Sequence, residues 1–447
     1  MNGLPPERSS GVLLHPTSLP AAAAGESPLE PAKRFIDLLA DSGFGWWQVL
    51  PLGPVDAHGS PYSLRSAHAG DPGLFDTPSF QRGLDEFLGR NRHWLVPYAT
   101  YKVLRRMHRN RPWWIWPPAH RDRDPDALQQ VQALPLYREV LGEQLGFDAA
   151  WQAIRDHGVS RGVRILGDLP FYVDHDSVDA WWSPELFRLG PDGSAIEVAG
   201  VPPDYFNHEG QRWGNPLYDW DALRDRDFDW WVARLSTQLH RFDALRLDHF
   251  RGLVQHWVVA ADAESARDGC WRDTPGEAML YRVQTALGGL PLVAEDLGNI
   301  TTEVHALRER FGLPGMLVLQ FAFDGSPDNP YLPEHHSENS VVYTGTHDND
   351  TTLGWYRSLD DHTRSLVDAR FGGGSGNAVR AVIEAAFDSP ARLAMIPMQD
   401  LLELGSEARM NVPGTVGNNW QWRFDWSQVT SDRVDWWRRI VDRSGRS

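Results

Sequence analysis

The sequence predicts an α/β protein: one (β/α)8 TIM barrel with inserted subdomains after its second and third strands. Three observations carry this prediction. Short apolar runs with strand character recur along the 447 residues. Amphipathic helical patterns lie between them. Near-continuous apolar strands alternating with such helices belong to a parallel sheet covered on both faces. Eight strands of this kind suit a closed barrel, whose working face lies at the C-terminal ends of the strands.

In chain order the strand runs are GVLLHP (11–16), WWQVLPL (46–52), VRILGDLPFY (163–172), ALRLDHF (244–250), LPLVAEDLG (290–298), GMLVLQFAF (315–323), SVVYTGTHD (340–348) and RLAMIPMQD (392–400). Each gives way to polar residues. Helical periodicity marks PAKRFIDLLADSG (31–43), DFDWWVARLSTQLHRF (227–242), PGEAMLYRVQTALGG (275–289), TTEVHALRERFG (301–312) and AVRAVIEAAF (378–387). Spacing is uneven. Residues 53–160 fall between the second and third strands, and 173–226 between the third and fourth. Segments inserted after barrel strands emerge on the working face, so 1–447 reads as a single decorated barrel. Its first insertion, 53–160, is helical and aromatic, and its second, 173–226, carries a substrate loop. Tyr62, Trp94, Tyr98, Trp113, Trp114 and Trp116 in the first, and Trp181, Trp182, Tyr205, Phe206, Trp213 and Tyr218 in the second, are expected to wall a groove.

Composition narrows the function. Acidic residues number 60 against 43 basic ones, a net charge of −17. Such a field repels nucleic acid and anionic membrane surfaces, and a neutral or cationic substrate is expected. No apolar run is long enough for a membrane span, and the N-terminal residues lack a secretory pattern. The single cysteine, Cys270, forms no internal disulfide, which makes the cytosol the default compartment. The 21 tryptophans offer flat faces that stack on sugars or bases, and the charge favours sugars.

Four strand ends carry acid. They are Arg246-Leu-Asp248-His249, Glu295-Asp296, His347-Asp348 with Asn349 and Asp350 following, and Asp168. A loop hydrogen bond or helix cap accounts for any one of them as well as catalysis does. Several converging on one barrel axis favour catalysis or metal binding. Phosphate-loop, dinucleotide, zinc-protease and nucleophile-elbow motifs are all missing. FGGGSGN (371–377) reads as a turn, and the adjacent His335 and His336 point apart.

Ordered motifs then identify a relationship. QVLPLGP (48–54), SPYSLRSAHAGDP (60–72), GDLPFYV (167–173), GQRWGNPLYDW (210–220), LRLDHFRG (245–252), LVAEDLG (292–298), YTGTHDNDT (343–351) and PGTVGNNWQWR (413–423) resemble the amylomaltases, or 4-α-glucanotransferases, of glycoside hydrolase family 77. The resemblance runs from GVLLHPTSLP (11–20) to NNWQWRF (418–424). It implies a (β/α)8 barrel that transfers a segment of an α-1,4-glucan to an acceptor 4-OH through a retaining double displacement. A glucan hydrolase, or a glucan-binding protein without activity, are the alternatives.

The resemblance also implies roles. Asp248 matches the nucleophile, Glu295 the general acid/base and Asp348 the third carboxylate. Arg246, His249 and His347 match companions of the sugar at the cleavage point, and Asp168 a substrate-contacting or network carboxylate. Tyr62 matches a sugar platform, Gln211 and Trp213 the acceptor-side loop, and Asn418 a further substrate contact. Neither a cofactor nor a metal is implied. The chain departs from the family at AAAAGESPLE (21–30), where a glycine-rich turn is usual, and at His68, where Phe is more usual. Both departures bear on subsite length.

Elementary chemistry fits these roles. Retaining glycoside chemistry needs one ionised carboxylate and one protonated carboxyl. Arg246 lies two positions before Asp248 on the same strand face and favours its ionised form. Glu295, crowded by other carboxylates, is expected to hold its proton. On the acceptor side, Tyr205, Phe206, Trp213 and Tyr218 flank Gln211 and Asn215, material for holding a sugar while excluding water.

Overall fold

The computed structural model of the chain describes residues 4–5, 7–203, 208–372, 374–415 and 417–447, and of 374–376 the backbone only. Among them, strands in chain order are β1 (Ser9–Leu13), β2 (Trp46–Gln48), β3 (Arg164–Leu169), β4 (Glu197–Val201), β5 (Gln211–Pro216), β6 (Ala244–Leu247), β7 (Gln255–Ala260), β8 (Cys270–Asp273), β9 (Leu292–Ala294), β10 (Gly315–Val318), β11 (Ser340–Tyr343) and β12 (Leu393–Pro397). Eight of these pair in parallel in the order β10-β11-β12-β1-β2-β3-β6-β9. The Ala294 N–H donates to the Pro314 carbonyl at 2.9 Å and draws the two ends together into a nearly closed barrel. Every strand run singled out in the sequence contributes one of the eight.

Strand alternation sorts the side chains. Leu13, Trp46, Leu166, Ala244, Val293, Met316, Val341 and Leu393 meet one another inside the barrel. Their neighbours Val12, Trp47, Ile165, Leu245, Val342 and Ala394 face outward and join the larger core beneath the helices. With both faces buried, these strands read as continuous apolar runs. The helix Glu30–Asp41 buries Phe35, Ile36 and Leu39 on one stripe. The helix Pro135–Arg161 stops at Gly162, whose φ of 75° makes a left-handed cap that suits glycine. Among the described residues no helix is long and apolar enough to cross a membrane.

Between β2 and β3 lie the helices Leu84–Met107, Pro118–Arg121, Pro125–Gln132 and Pro135–Arg161. Two strands after β3 and two after β6 form a small antiparallel sheet, ordered β5-β4-β7-β8. The β7–β8 pair is not expected from the sequence, because it is short and half exposed. The aromatic rings also differ from expectation. Tyr98, Trp113, Trp116, Trp181 and Tyr218 are buried in the core rather than set along a groove. Except for the Tyr98 hydroxyl, which has no hydrogen-bond partner among the described residues, their polar tips find internal acceptors: the Trp113 indole donates to the His175 carbonyl and the Tyr218 hydroxyl to that of Phe171, each at 2.7 Å. An indole or phenol whose polar tip can be satisfied internally is free to pack in the core. Tyr205 and Phe206 lie outside the described residues.

Candidate active site

The site starts from a register. On neighbouring strands β3 and β6, Asp168 stands opposite Arg246, and both project into the top of the barrel. Arg246 Nη1 donates to the two Asp168 oxygens at 2.8 and 2.9 Å, while Nη2 reaches Asp248 Oδ1 at 3.0 Å. The Tyr62 hydroxyl donates to Asp168 Oδ2 at 2.7 Å. The Asp168 side chain is fully buried and that of Asp248 is 29% exposed. Burial pushes the Asp168 carboxyl upward, with Arg246 pulling against it. One guanidinium thus spans an interior carboxylate and one that faces solvent. Asp168 lies buried beneath Tyr62 and Arg246.

Asp248 follows β6 directly, its N–H donating to the Leu169 carbonyl at 3.0 Å. The next residue, His249, turns into the left-handed region at φ 49°. That turn aims its N–H at Glu295 Oε2, 2.7 Å away. Glu295 follows β9 on the adjacent strand, and its Oε1 accepts from the Leu297 N–H at 3.2 Å. Burial, helped by the Asp248 charge and opposed by Arg246 and the two N–H groups, pushes the Glu295 carboxyl up to about 7. The His249 ring is held neutral, pulled down by burial to about 4. Its Nε2 has no partner among the described residues, and Trp213 of β5 stands edge-on to it at 5.0 Å.

Asp348 comes from the loop after β11. Asn411 donates to its Oδ1 at 2.6 Å, Arg409 holds its main-chain carbonyl at 2.7 Å, and His347 Nε2 lies 3.4 Å from Oδ2. His347 stacks on the Tyr62 ring at 5.1 Å and 16°. The loop is anchored by buried Asp400, which accepts from the Thr344 hydroxyl and from the N–H and hydroxyl of Thr352 at 2.6–2.7 Å.

Tyr62, Arg246, Asp248, His249, Glu295 and Asp348 line one open cleft of about 1270 Å³, with Gln211 and Trp213 on its β5 wall. Asp168 and His347 stand behind this lining layer. Asn418 is not part of the lining, whereas Gly417, Asn419 and Trp420 of the same loop are. Asp296 and Asp350 turn away to structural work. Asp296 binds the Met316 N–H and Arg308, and Asp350 accepts from Ser406. Sequence reasoning did not single out Asn411, Trp271 or Trp420, which sit on loops or short strands without periodicity. Only the motif containing Trp420 offered a signal. Asn215 borders the cleft but spends its amide on the Val173 carbonyl at 2.8 Å. Among the described residues, no His, Cys, Asp and Glu side chains group so as to hold a metal ion.

A parallel barrel with three carboxylates around an open cleft, aromatic rings beside them, belongs with the carbohydrate-active barrels. Known relatives narrow this. The family model for 4-alpha-glucanotransferase, glycoside hydrolase family 77, matches residues 14–82 and 75–430, and the chain belongs to that family. The 4-alpha-glucanotransferase of Thermus thermophilus is 40% identical over 93% of this chain and 94% of its own. That of Synechocystis is 39% identical over 96% and 95%. The amylomaltase of Streptococcus agalactiae, solved in complex with acarbose, superposes with a TM-score of 0.94 at 30% identity, covering 99% of this chain and all of its own. The amylomaltase of Corynebacterium glutamicum shares the fold, with a TM-score of 0.75 at 17% identity over 98% and 75% of the two chains.

Proposed function

We propose that the chain transfers segments of α-1,4-glucan to the 4-OH of an acceptor glucan or glucose by a retaining double displacement. The observation that carries this reading is the pairing at the ends of β6 and β9. There, Arg246 holds Asp248 while Glu295, pushed up to about 7, keeps a proton near neutral pH. Asp248 attacks the anomeric carbon as the glycosidic bond breaks, and Glu295 gives its proton to the leaving oxygen. The product is a glycosyl ester on Asp248. Glu295, now ionised, takes the proton of an incoming 4-OH as that oxygen displaces Asp248. An acid that titrates about 7 serves both halves of this cycle.

Asp348, fixed by Asn411, meets positive charge developing on the sugar. Tyr62, backed by His347, supplies a flat face, and His249 borders the bound sugar. Gln211 and Trp213 serve the acceptor side, where the Trp213 indole donates to Gln211 Oε1 at 3.2 Å. Asp168 and Arg246 position Asp248. Asn418 acts through its loop, which brings Asn419 and Trp420 to the cleft. The lone, exposed Cys270 suits a cytosolic setting. No cofactor or metal takes part, because carboxylates and protons carry every step.

Hydrolysis differs only in which hydroxyl enters second. Incubation with maltotriose separates the two outcomes. Transfer gives glucose and a ladder of longer maltooligosaccharides at nearly constant reducing ends. Rising reducing ends without longer products would make the protein a hydrolase.

A further inference from the structure

Behind the wall of the carboxylate cleft, where the neighbouring strands β11, β12 and β1 end, lies a small cavity of about 20 Å³. That is room for a single water molecule, which needs about 10–15 Å³ and two to four polar partners. Thr346 and Asn349 line both the cavity and the cleft, so one loop separates the two. It is the loop that presents Asp348. His347 lines the cavity, as does Arg409, whose Nη2 holds the Asp348 main-chain carbonyl at 2.7 Å. From the other strands come His15, two residues beyond β1, and Gln399, two beyond β12.

His15 is the unusual member of this lining. It is 5% exposed, and neither of its ring nitrogens has a hydrogen-bond partner among the described residues. Burial, reinforced by the nearby His347, pulls the ring down to about 3, so it is neutral and carries one proton. Nδ1 is sealed against the protein. A bare lone pair is tolerated there more readily than a bare N–H, which places the proton on Nε2. A buried N–H calls for an acceptor, and among the described residues no protein atom supplies one. Gln399 shows the converse. Its Nε2 goes to the Ala408 carbonyl at 3.3 Å, and its Oε1 accepts from no described residue. Asn349 Oδ1 takes the Thr346 N–H and hydroxyl, each at 2.9 Å, which leaves the Asn349 amide N–H groups unspent.

We propose that this cavity is the binding site of one structural water, and that His15 is a positioning residue that holds the Asp348 loop through it. The water accepts from His15 Nε2 and the Asn349 amide and donates to Gln399 Oε1. It ties the ends of β1 and β12 to the loop after β11. Asn411 fixes the Asp348 side chain from the cleft, and the water fixes the main chain behind it. The effect on turnover rests on the role of Asp348 proposed above, whereas the water does not.

A high-resolution crystal structure of the full chain should show an ordered water within hydrogen-bond distance of His15 Nε2. A dry cavity overturns the proposal. Kinetics test the positioning role. His15→Phe should lower kcat on maltotriose about tenfold with KM little changed, since Asp348 acts on the transition state. His15→Gln, which keeps an N–H, should recover most of that loss. In the Asp348→Asn background His15→Phe should cost nothing further, because residues that act through one another are not additive. Losses that multiply in the double variant, or that are equal in His15→Phe and His15→Gln, overturn the positioning role. So does a melting point several degrees lower in both His15→Phe and His15→Ala, which would make His15 a structural residue. Near-normal turnover in Asp348→Asn would overturn the reading of Asp348 and the positioning role with it, while the crystal structure still decides the water.

Discussion

Replacing Glu295 by Gln should make the protein more stable at alkaline pH while abolishing its activity. The fold raises this carboxyl from an ordinary 4.5 to about 7. The folded chain therefore binds the proton more tightly than the unfolded chain does. Stability must fall as pH rises from about 4.5 to about 7, and the loss is complete above that. At about 1.4 kcal/mol per pH unit, the penalty is at most about 3 kcal/mol, because Glu295 is half-buried at a cleft rather than sealed. The amide introduced by Glu295→Gln is uncharged and escapes it. With an unfolding entropy of about 2.1 cal/mol/K per residue, a chain of 447 residues shifts by about 1 °C per kcal/mol. Calorimetric melting of both proteins at pH 4.5 and pH 8 should show their gap moving by about 3 °C in favour of Glu295→Gln. A gap that stays constant, or moves the other way, would refute the account of Glu295 as a carboxyl kept protonated by its surroundings.

Other outcomes follow from the same geometry. Asp248→Asn and Asp348→Asn should each lower turnover on maltotriose by several orders of magnitude with melting points within a few degrees of wild type, because both line the open cleft rather than the packed core. Near-normal turnover in either variant would remove that residue from its role. The kcat/KM profile should have a basic limb near pH 7, falling tenfold per pH unit beyond it, since the first step needs the Glu295 proton. A profile flat to pH 9 would contradict this. Trp213 is 39% exposed, and an acceptor sugar covering half of that area shields about 50 Å², or about 1 kcal/mol. Trp213→Ala should therefore lower the ratio of transfer to hydrolysis several-fold, read from chain lengths against reducing ends. An unchanged ratio would move the acceptor elsewhere.

The barrel is legible in the sequence because its strands are buried on both faces, so runs such as SVVY and RLAMIP need no partner information to stand out. The carboxylates are legible for a related reason, since Asp248 and Glu295 each follow a strand without an intervening loop. What escapes the sequence is side-chain depth. Trp113 and Trp213 look alike in sequence, yet one is 2% exposed and the other 39%, and only the packing of the insertions decides which. The β7–β8 pair escapes because QHWVVA and CWRD are short and do not alternate, and the second is largely exposed. Asn411 escapes because it reaches Asp348 from a loop 63 residues away in sequence, a contact without local signature. The strand-end acids Asp296 and Asp350 show the converse, since the sequence offers them beside Glu295 and Asp348 and the fold employs them elsewhere.

The left-handed turn at His249 has a consequence for how the two carboxylates on β6 and β9 are kept in step. Glu295 takes the N–H of the residue bonded directly to Asp248, so its place relative to Asp248 is gauged by main chain, not by a flexible side chain. Thermal jostling of either strand end carries the other along, and the two carboxyl groups move as one calliper. Side chains around the cleft can therefore vary, while the span between these two carboxyl groups stays the same.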